Sequence, residues 1–120
     1  MQDFRNLKVW HEAHHLTLDV YRVTGGFPKS ELFGLTGHLK KTALSVPSNI
    51  AEGCGRGSDA DFRRFLQIAL GSPFELDYQL LLARDLGYCS DAIYKPLEAE
   101  LIEVRRMLLA FMQRLERPPA

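Results

Sequence analysis

The chain has 120 residues, 46% of them hydrophobic, and its 15 lysines and arginines equal its 15 aspartates and glutamates. This length corresponds to one domain with a substantial core, and the neutral balance excludes the broad positive field of nonspecific nucleic-acid-binding proteins. No apolar run approaches the length of a membrane span and no signal-peptide core is present, so we expect a cytoplasmic protein. The two cysteines, Cys54 and Cys89, lack the spacing of a metal-binding pair, so we expect free thiols, with a surface disulfide as the alternative.

The first predicted helix covers residues 7–24. Its water-facing residues recur every three or four positions, at Lys8, Glu12, His15, Asp19 and Arg22. The rest of its surface is apolar and forms two adjacent stripes. The first stripe contains Leu7, Trp10, His14 and Tyr21; the second contains Val9, Ala13, Leu16, Val20 and Val23. We expect the first stripe to be buried, and the second either to contact a partner or to be half exposed.

The second predicted helix covers residues 31–52, with Ser30 as its N-cap after a Gly-Gly-Phe-Pro turn. Pro47 lies inside its apolar periodicity, so the sequence predicts a helix kinked at Pro47 instead of one that ends there. A proline at this position frees the carbonyl of Ala43. The hydroxyls available nearby to satisfy the freed backbone are those of Ser45 and Ser48.

Two further helices are predicted over residues 59–86 and 91–115, followed by a tail at 117–120. The third helix begins with a capping box formed by Ser58 and Asp61, and Pro73 on its apolar face predicts a local kink or unwinding. The sequence Leu86-Gly87-Tyr88 is typical of a glycine C-cap, and Ser90 or Asp91 caps the last helix. Four helices joined by short turns predict an all-α, antiparallel, up-down-up-down four-helix bundle.

Several motifs together resemble the 23S rRNA-intervening sequence proteins, also called the four-helix bundle protein family. They are Val-Pro-Ser-Asn-Ile-Ala-Glu-Gly at residues 46–53, Phe-Leu-Gln-Ile-Ala-Leu-Gly-Ser at 65–72 and Phe-Arg-Asn-Leu-Lys-Val-Trp at 4–10. Pro73 departs from the family pattern, which has an ordinary helix former there. The resemblance implies a homopentameric barrel. One branch of the family comprises accessory proteins of diversity-generating reverse transcriptases, so it also implies RNA, DNA or a reverse-transcriptase-like protein as a partner.

A zinc-site motif, H-E-x-x-H, is formally matched at residues 11–15. In a small metal-dependent hydrolase, His11 and His15 would hold zinc and Glu12 would activate its water. Both histidines fall near the water-facing stripe, however, and no third ligand follows at a recognisable spacing. We therefore predict no catalytic residue, no cofactor and no metal site, and keep the hydrolase as the alternative function.

The candidate contacts to nucleic acid or a protein partner are basic residues in and around the second and third helices: Lys40, Lys41, Arg56, Arg63 and Arg64. No exposed aromatics accompany them as a stacking platform, and no recognition-helix pattern is present. The glycine-rich loop at residues 53–58 has exposed amides suited to an anion, but Asp59 and Asp61 already occupy the positive end of the next helix, so a plain helix turn is favoured. The sequence thus favours a non-enzymatic, self-assembling interaction module.

Overall fold

The computed structural model describes residues 2–116 and contains four α-helices. They are α1, Lys8–Thr24; α2, Leu35–Cys54; α3, Asp59–Asp85; and α4, Asp91–Glu116. Short 3-10 turns at Phe4–Asn6 and Lys29–Glu31 precede α1 and α2, and no strand occurs among the described residues. The prediction of an all-α four-helix bundle is confirmed, and the predicted tail at 117–120 lies outside the described residues.

Contacting residues run in opposite order along the chain, since Arg63 pairs with Glu116 and Arg84 with Asp91 between α3 and α4, and Lys40 lies against Tyr21 between α1 and α2. Further contacts connect Gln2 with Cys54, Ser45 with Ser72, Asp77 with Arg105, and His15 with Glu100. One end of the bundle therefore carries the α2–α3 turn and both ends of the described chain. The other end carries the α1–α2 and α3–α4 connections, which are joined by a hydrogen bond of 2.9 Å from the Tyr88 hydroxyl to Glu31.

The core is a continuous set of aliphatic side chains contributed by all four helices. Its largest fully buried members are Leu16, Val20, Leu39, Val46, Ile50, Leu66, Pro73, Leu76, Leu80, Leu101, Val104 and Leu108. On α3 and α4 these residues follow the predicted three- and four-residue spacing, so the apolar periodicity identified the core faces of those two helices correctly. No helix within residues 2–116 combines the length and the apolarity needed to cross a membrane.

The apolar stripes of α1 have the opposite burial from the one we predicted. Val9, Ala13, Leu16 and Val20 of the second stripe are buried, whereas Tyr21 of the first stripe is 42% exposed. In the first stripe His14 is also exposed, and Leu7 and Trp10 are only partly buried. Both stripes are apolar and lie side by side, so periodicity alone could not decide which one faces the bundle.

The beginning of α2 also differs from the prediction. Pro28 opens a 3-10 turn that contains Ser30, and α2 begins only at Leu35, after Gly34. Ser30 therefore does not cap α2; instead Glu31 Oε1 lies 3.5 Å from the Leu35 amide. The predicted caps at Ser58 and Gly87 are confirmed. The Ser58 hydroxyl accepts from the Asp61 amide at 3.1 Å, and Gly87 has a φ of 81°.

Both inner prolines are buried within unbroken helices. As predicted, α3 does not break at Pro73; it does not unwind there either, and a kink stays a prediction at both Pro47 and Pro73. The carbonyl of Ala43, which loses its helical donor at Pro47, lies 3.2 Å from the Thr17 hydroxyl of α1. This donor comes from a neighbouring helix, so the expectation of a local serine was wrong. Ser45 instead donates to Thr42 O and faces Ser72 of α3.

Candidate functional site

The two histidines of the H-E-x-x-H match have different surroundings. A ring nitrogen of the exposed His11, Nε2, lies 2.6 Å from the carbonyl oxygen of Arg5, in the turn before α1. His15 Nδ1 lies 2.6 Å from Glu100 Oε1 of α4 and 3.5 Å from Asp19 Oδ2. Within residues 2–116, the cluster of potential metal ligands contains His15, Asp19 and Glu100, without His11 or Glu12. The geometry thus gives no support to the hydrolase arrangement, in which Glu12 would act beside a His11–His15 pair.

The acid cluster at the α1–α4 interface consists of His15, Asp19 and Glu100, whose ligand atoms lie within 4.8 Å of one another. Asp19 Oδ1 accepts a hydrogen bond from Arg22 at 3.0 Å. Burial of its carboxyl, together with the hydrogen bond and the negative charge of Asp19, raises the pKa of Glu100 to about 7 against the opposing effect of His15. Two carboxyl groups held this close do not both ionise easily near neutral pH.

Sequence reasoning found His15 but missed its partners. Asp19 follows His15 by one helical turn, a spacing that brings two side chains together on one face, and this signal was readable. Glu100 lies 85 positions further along the chain. Its approach depends on the register between α1 and α4, which the apolar periodicity of each helix does not determine.

The three candidate arginines gather at the end of the bundle that carries the α2–α3 turn. The guanidinium groups of Arg56 and Arg64 lie 4.5 and 4.8 Å from the ring centre of Phe65. Each arginine also has a carboxylate partner, Glu52 for Arg56, Asp61 for Arg64 and Glu116 for Arg63. Their charges are therefore partly neutralised within the chain.

The two candidate lysines lie elsewhere, on the first half of α2. They are about 20 Å from Arg56 at the helical rise of 1.5 Å per residue. Lys40 Nζ lies 5.1 Å from the ring centre of Tyr21, and Lys41 is exposed. Neither lysine forms an ion pair in the part of the chain that the structure describes. The five basic residues thus form two separate patches instead of one.

The glycine loop between α2 and α3 borders a small hollow of about 140 Å³ whose lining includes Cys54, Arg56 and Ser58. The Ser58 hydroxyl and Asp61 already occupy the beginning of α3. Burial raises the pKa of the Cys54 thiol, which disfavours its nucleophilic thiolate form. Cys54 and Cys89 are both free and buried, and the surface disulfide is not formed. The loop is best described as a helix turn.

Comparison with known proteins identifies a family and similar solved structures. The family model described as "23S rRNA-intervening sequence protein" matches residues 5–110. A crystal structure of a protein of unknown function from the S23 ribosomal protein family of Bacteroides thetaiotaomicron has 21% identity and a TM-score of 0.81, covering 88% of this chain and 95% of that chain. That similarity supports the fold. A search of curated proteins gives no match. Because the family model covers most of its length, the chain belongs to the 23S rRNA-intervening sequence protein family.

Proposed function

We propose that the chain is a non-enzymatic interaction module that assembles with copies of itself. The family resemblance favours a homopentamer. The observation that carries this proposal is the exposed apolar stripe of α1. Its residues Leu7, Trp10, His14 and Tyr21 follow the three- and four-residue spacing of a helix-packing surface, yet within residues 2–116 His14 and Tyr21 stay exposed and Leu7 and Trp10 are only partly buried.

The aromatic members of this stripe are ordered by contacts among themselves. The His14 ring stacks on Trp10 with centroids 4.9 Å apart and planes 10° apart, and Phe4 lies 4.7 Å from the Trp10 ring. Leu44 of α2, one turn after the lysine that contacts Tyr21, is 47% exposed. A preorganised aromatic and aliphatic surface of this kind is favourable for burial against a partner, because little side-chain entropy remains to be lost.

A ring of five also requires a second, different surface, because cyclic assemblies beyond dimers are built from head-to-tail contacts. The outer face of α3 offers one, with Phe74 57% exposed and Tyr78 63% exposed. In an up-down-up-down bundle the α1–α2 and α3–α4 faces are on opposite sides. Two surfaces on opposite sides support the proposed head-to-tail contact.

Light scattering on the purified chain tests self-assembly. We expect an oligomer at micromolar concentration, with five copies if the family resemblance extends to the assembly. The oligomer should dissociate when Tyr21→Glu or Tyr78→Glu introduces a charge into either surface. Leu86→Glu is the matched control, because Leu86 is 51% exposed but lies in the α3–α4 connection. A monomeric parent chain would overturn the proposal, as would an oligomer unaffected by both tyrosine variants.

We further propose that the assembly contacts RNA or DNA through Lys40 and Lys41, alone or alongside a reverse-transcriptase-like partner. Both ammonium groups lack carboxylate partners within residues 2–116, in contrast to the paired arginines at the α2–α3 turn. Symmetry would bring several copies of this small patch together. The affinity should fall steeply with salt, because binding to phosphates releases counterions.

Retention on an RNA or DNA column at graded salt tests this contact. Lys40→Glu with Lys41→Glu should abolish retention, and light scattering first establishes that this variant still assembles, because Lys40 lies against Tyr21 of the proposed assembly surface. Lys29→Glu with Lys95→Glu is the control, because it makes the same charge change at two exposed lysines outside this patch. Full retention by the Lys40–Lys41 variant, or salt-independent retention of the parent chain, would exclude this patch as the contact.

A further inference from the structure

We propose that His15, Asp19 and Glu100 form a binding site for one divalent transition-metal ion, with Zn²⁺ as the reference ion, which clamps α1 to α4. The site differs from the H-E-x-x-H match in its ligands. It uses one imidazole and two carboxylates from two helices, instead of two histidines from one helix.

The α1 part of the site is a chelating pair. His15 and Asp19 are one helical turn apart, and His15 Nδ1 lies 3.5 Å from Asp19 Oδ2. Two ligands of a tetrahedral ion with bonds of about 2.1 Å are separated by about 3.4 Å, so this pair already has the necessary spacing. Asp19 Oδ1 is held by Arg22 at 3.0 Å, which orients the carboxylate and leaves Oδ2 available to the ion.

Glu100 supplies the third ligand from α4. Its Oε1 lies 2.6 Å from His15 Nδ1, so a separation suited to a shared ion requires the carboxylate to move by less than about 1 Å. Its other oxygen, Oε2, is buried and has no hydrogen-bond partner within residues 2–116. A buried carboxyl oxygen without a hydrogen-bond partner costs free energy, and either a proton or a bound cation beside it would reduce that cost.

The chemistry of the donor set selects the class of ion. Mixed imidazole and carboxylate ligands suit Zn²⁺, Mn²⁺, Fe²⁺ or Co²⁺ better than Mg²⁺ or Ca²⁺, which prefer oxygen ligands alone. A surface depression of about 490 Å³, whose lining includes His11, Glu12, His15 and Glu100, adjoins the cluster. It leaves room for water to complete the coordination. Because the three ligands join the first and last helices, binding should oppose separation of α1 from α4.

The test uses the full-length chain stripped with a chelator and then dialysed. Titration calorimetry with ZnCl₂ should give one ion per chain, and Co²⁺ should give the absorption spectrum of a four-coordinate site with mixed nitrogen and oxygen ligands. Asp19→Asn and Glu100→Gln, which preserve side-chain size, should each weaken binding at least 10-fold. His15→Ala should do the same.

The matched control is His11→Ala, which removes the other histidine of the motif and should change the affinity less than 2-fold. Circular dichroism of each metal-free variant establishes that it is folded before titration. The proposal is overturned if Zn²⁺ does not bind, if Glu100→Gln binds like the parent chain, or if His11→Ala abolishes binding. Binding of several ions per chain with equal affinity in all variants would show adventitious surface binding and would also overturn it.

Discussion

Thr17 should be energetically coupled to Pro47, although the two residues belong to different helices. The Thr17 side chain is buried, with 7% of the residue exposed, and its hydroxyl lies 2.8 Å from Ala13 O and 3.2 Å from Ala43 O. Ala13 O has its ordinary helical donor as well. Ala43 O faces the nitrogen of Pro47, which has no hydrogen to donate, so the Thr17 hydroxyl is the donor it depends on.

Thr17→Val keeps the shape of the side chain and removes this donor. A buried polar group left without a partner costs about 1–3 kcal/mol, and the added methyl group offsets part of that cost. We therefore expect Thr17→Val to lower the free energy of unfolding by about 1–2 kcal/mol. In a Pro47→Ala background the backbone amide at position 47 can donate to Ala43 O. There the same substitution should cost less than about 0.5 kcal/mol, which corresponds to a coupling energy of about 1 kcal/mol.

Urea denaturation of the two single variants, the double variant and the parent chain, at one fixed chain concentration, measures this coupling. Thr24→Val is the matched control. Thr24 is also buried, but its hydroxyl is bonded at 2.8 Å to Val20 O within its own helix, so its loss should cost less than about 0.5 kcal/mol. Equal costs of Thr17→Val in both backgrounds would refute the idea that Thr17 satisfies the carbonyl freed by the proline.

Two further predictions concern a buried carboxyl and two glycines. In the presence of chelator, the free energy of unfolding should fall as pH rises from about 4.5 to 7, because the folded chain keeps the proton of Glu100 to about pH 7 while the unfolded chain loses it near 4.5. Above pH 7, Glu100→Gln should therefore be about 1–2 kcal/mol more stable than the parent chain. Melting temperatures of the two chains that change in parallel with pH would contradict this. Gly53→Ala should lower the free energy of unfolding by about 1–3 kcal/mol, because the added Cβ would lie 2.9 Å from Phe62 Cδ1 and from Phe65 Cβ. Gly71→Ala, which has open space around it, should instead raise it by about 0.5–1 kcal/mol in the same urea denaturation assay.

The fold was predictable because each helix carries local signals that agree with its packing. Ser58 and Gly87 mark helix ends through their own backbone chemistry, and the apolar periodicity of α3 and α4 identifies their core faces. The α2 boundary was harder to predict. Lys29–Glu31 has ordinary helix formers, but Pro28 and Gly34 confine it to a separate 3-10 turn.

The cross-helix features were not predictable from any single helix. Thr17 and Ala43 meet because α1 and α2 pack in one particular register, and the same holds for His15 and Glu100 across α1 and α4. The first α1 stripe was assigned to the core for a related reason. Its apolar side chains suit burial, but whether the same chain or another copy covers them depends on tertiary and quaternary packing.

The hydrogen bond between Tyr88 and Glu31 gives the two ends of the bundle different resistance to opening. It joins two chain connections at one end, where the Tyr88 ring also packs 5.5 Å from Phe27. The opposite end has one connection, and there α1 and α4 can separate without straining a loop. Local fraying should therefore begin at that end. Amide hydrogen exchange should be fast near Val9 and Met112, and slowest near Val20, Leu39, Leu80 and Leu97.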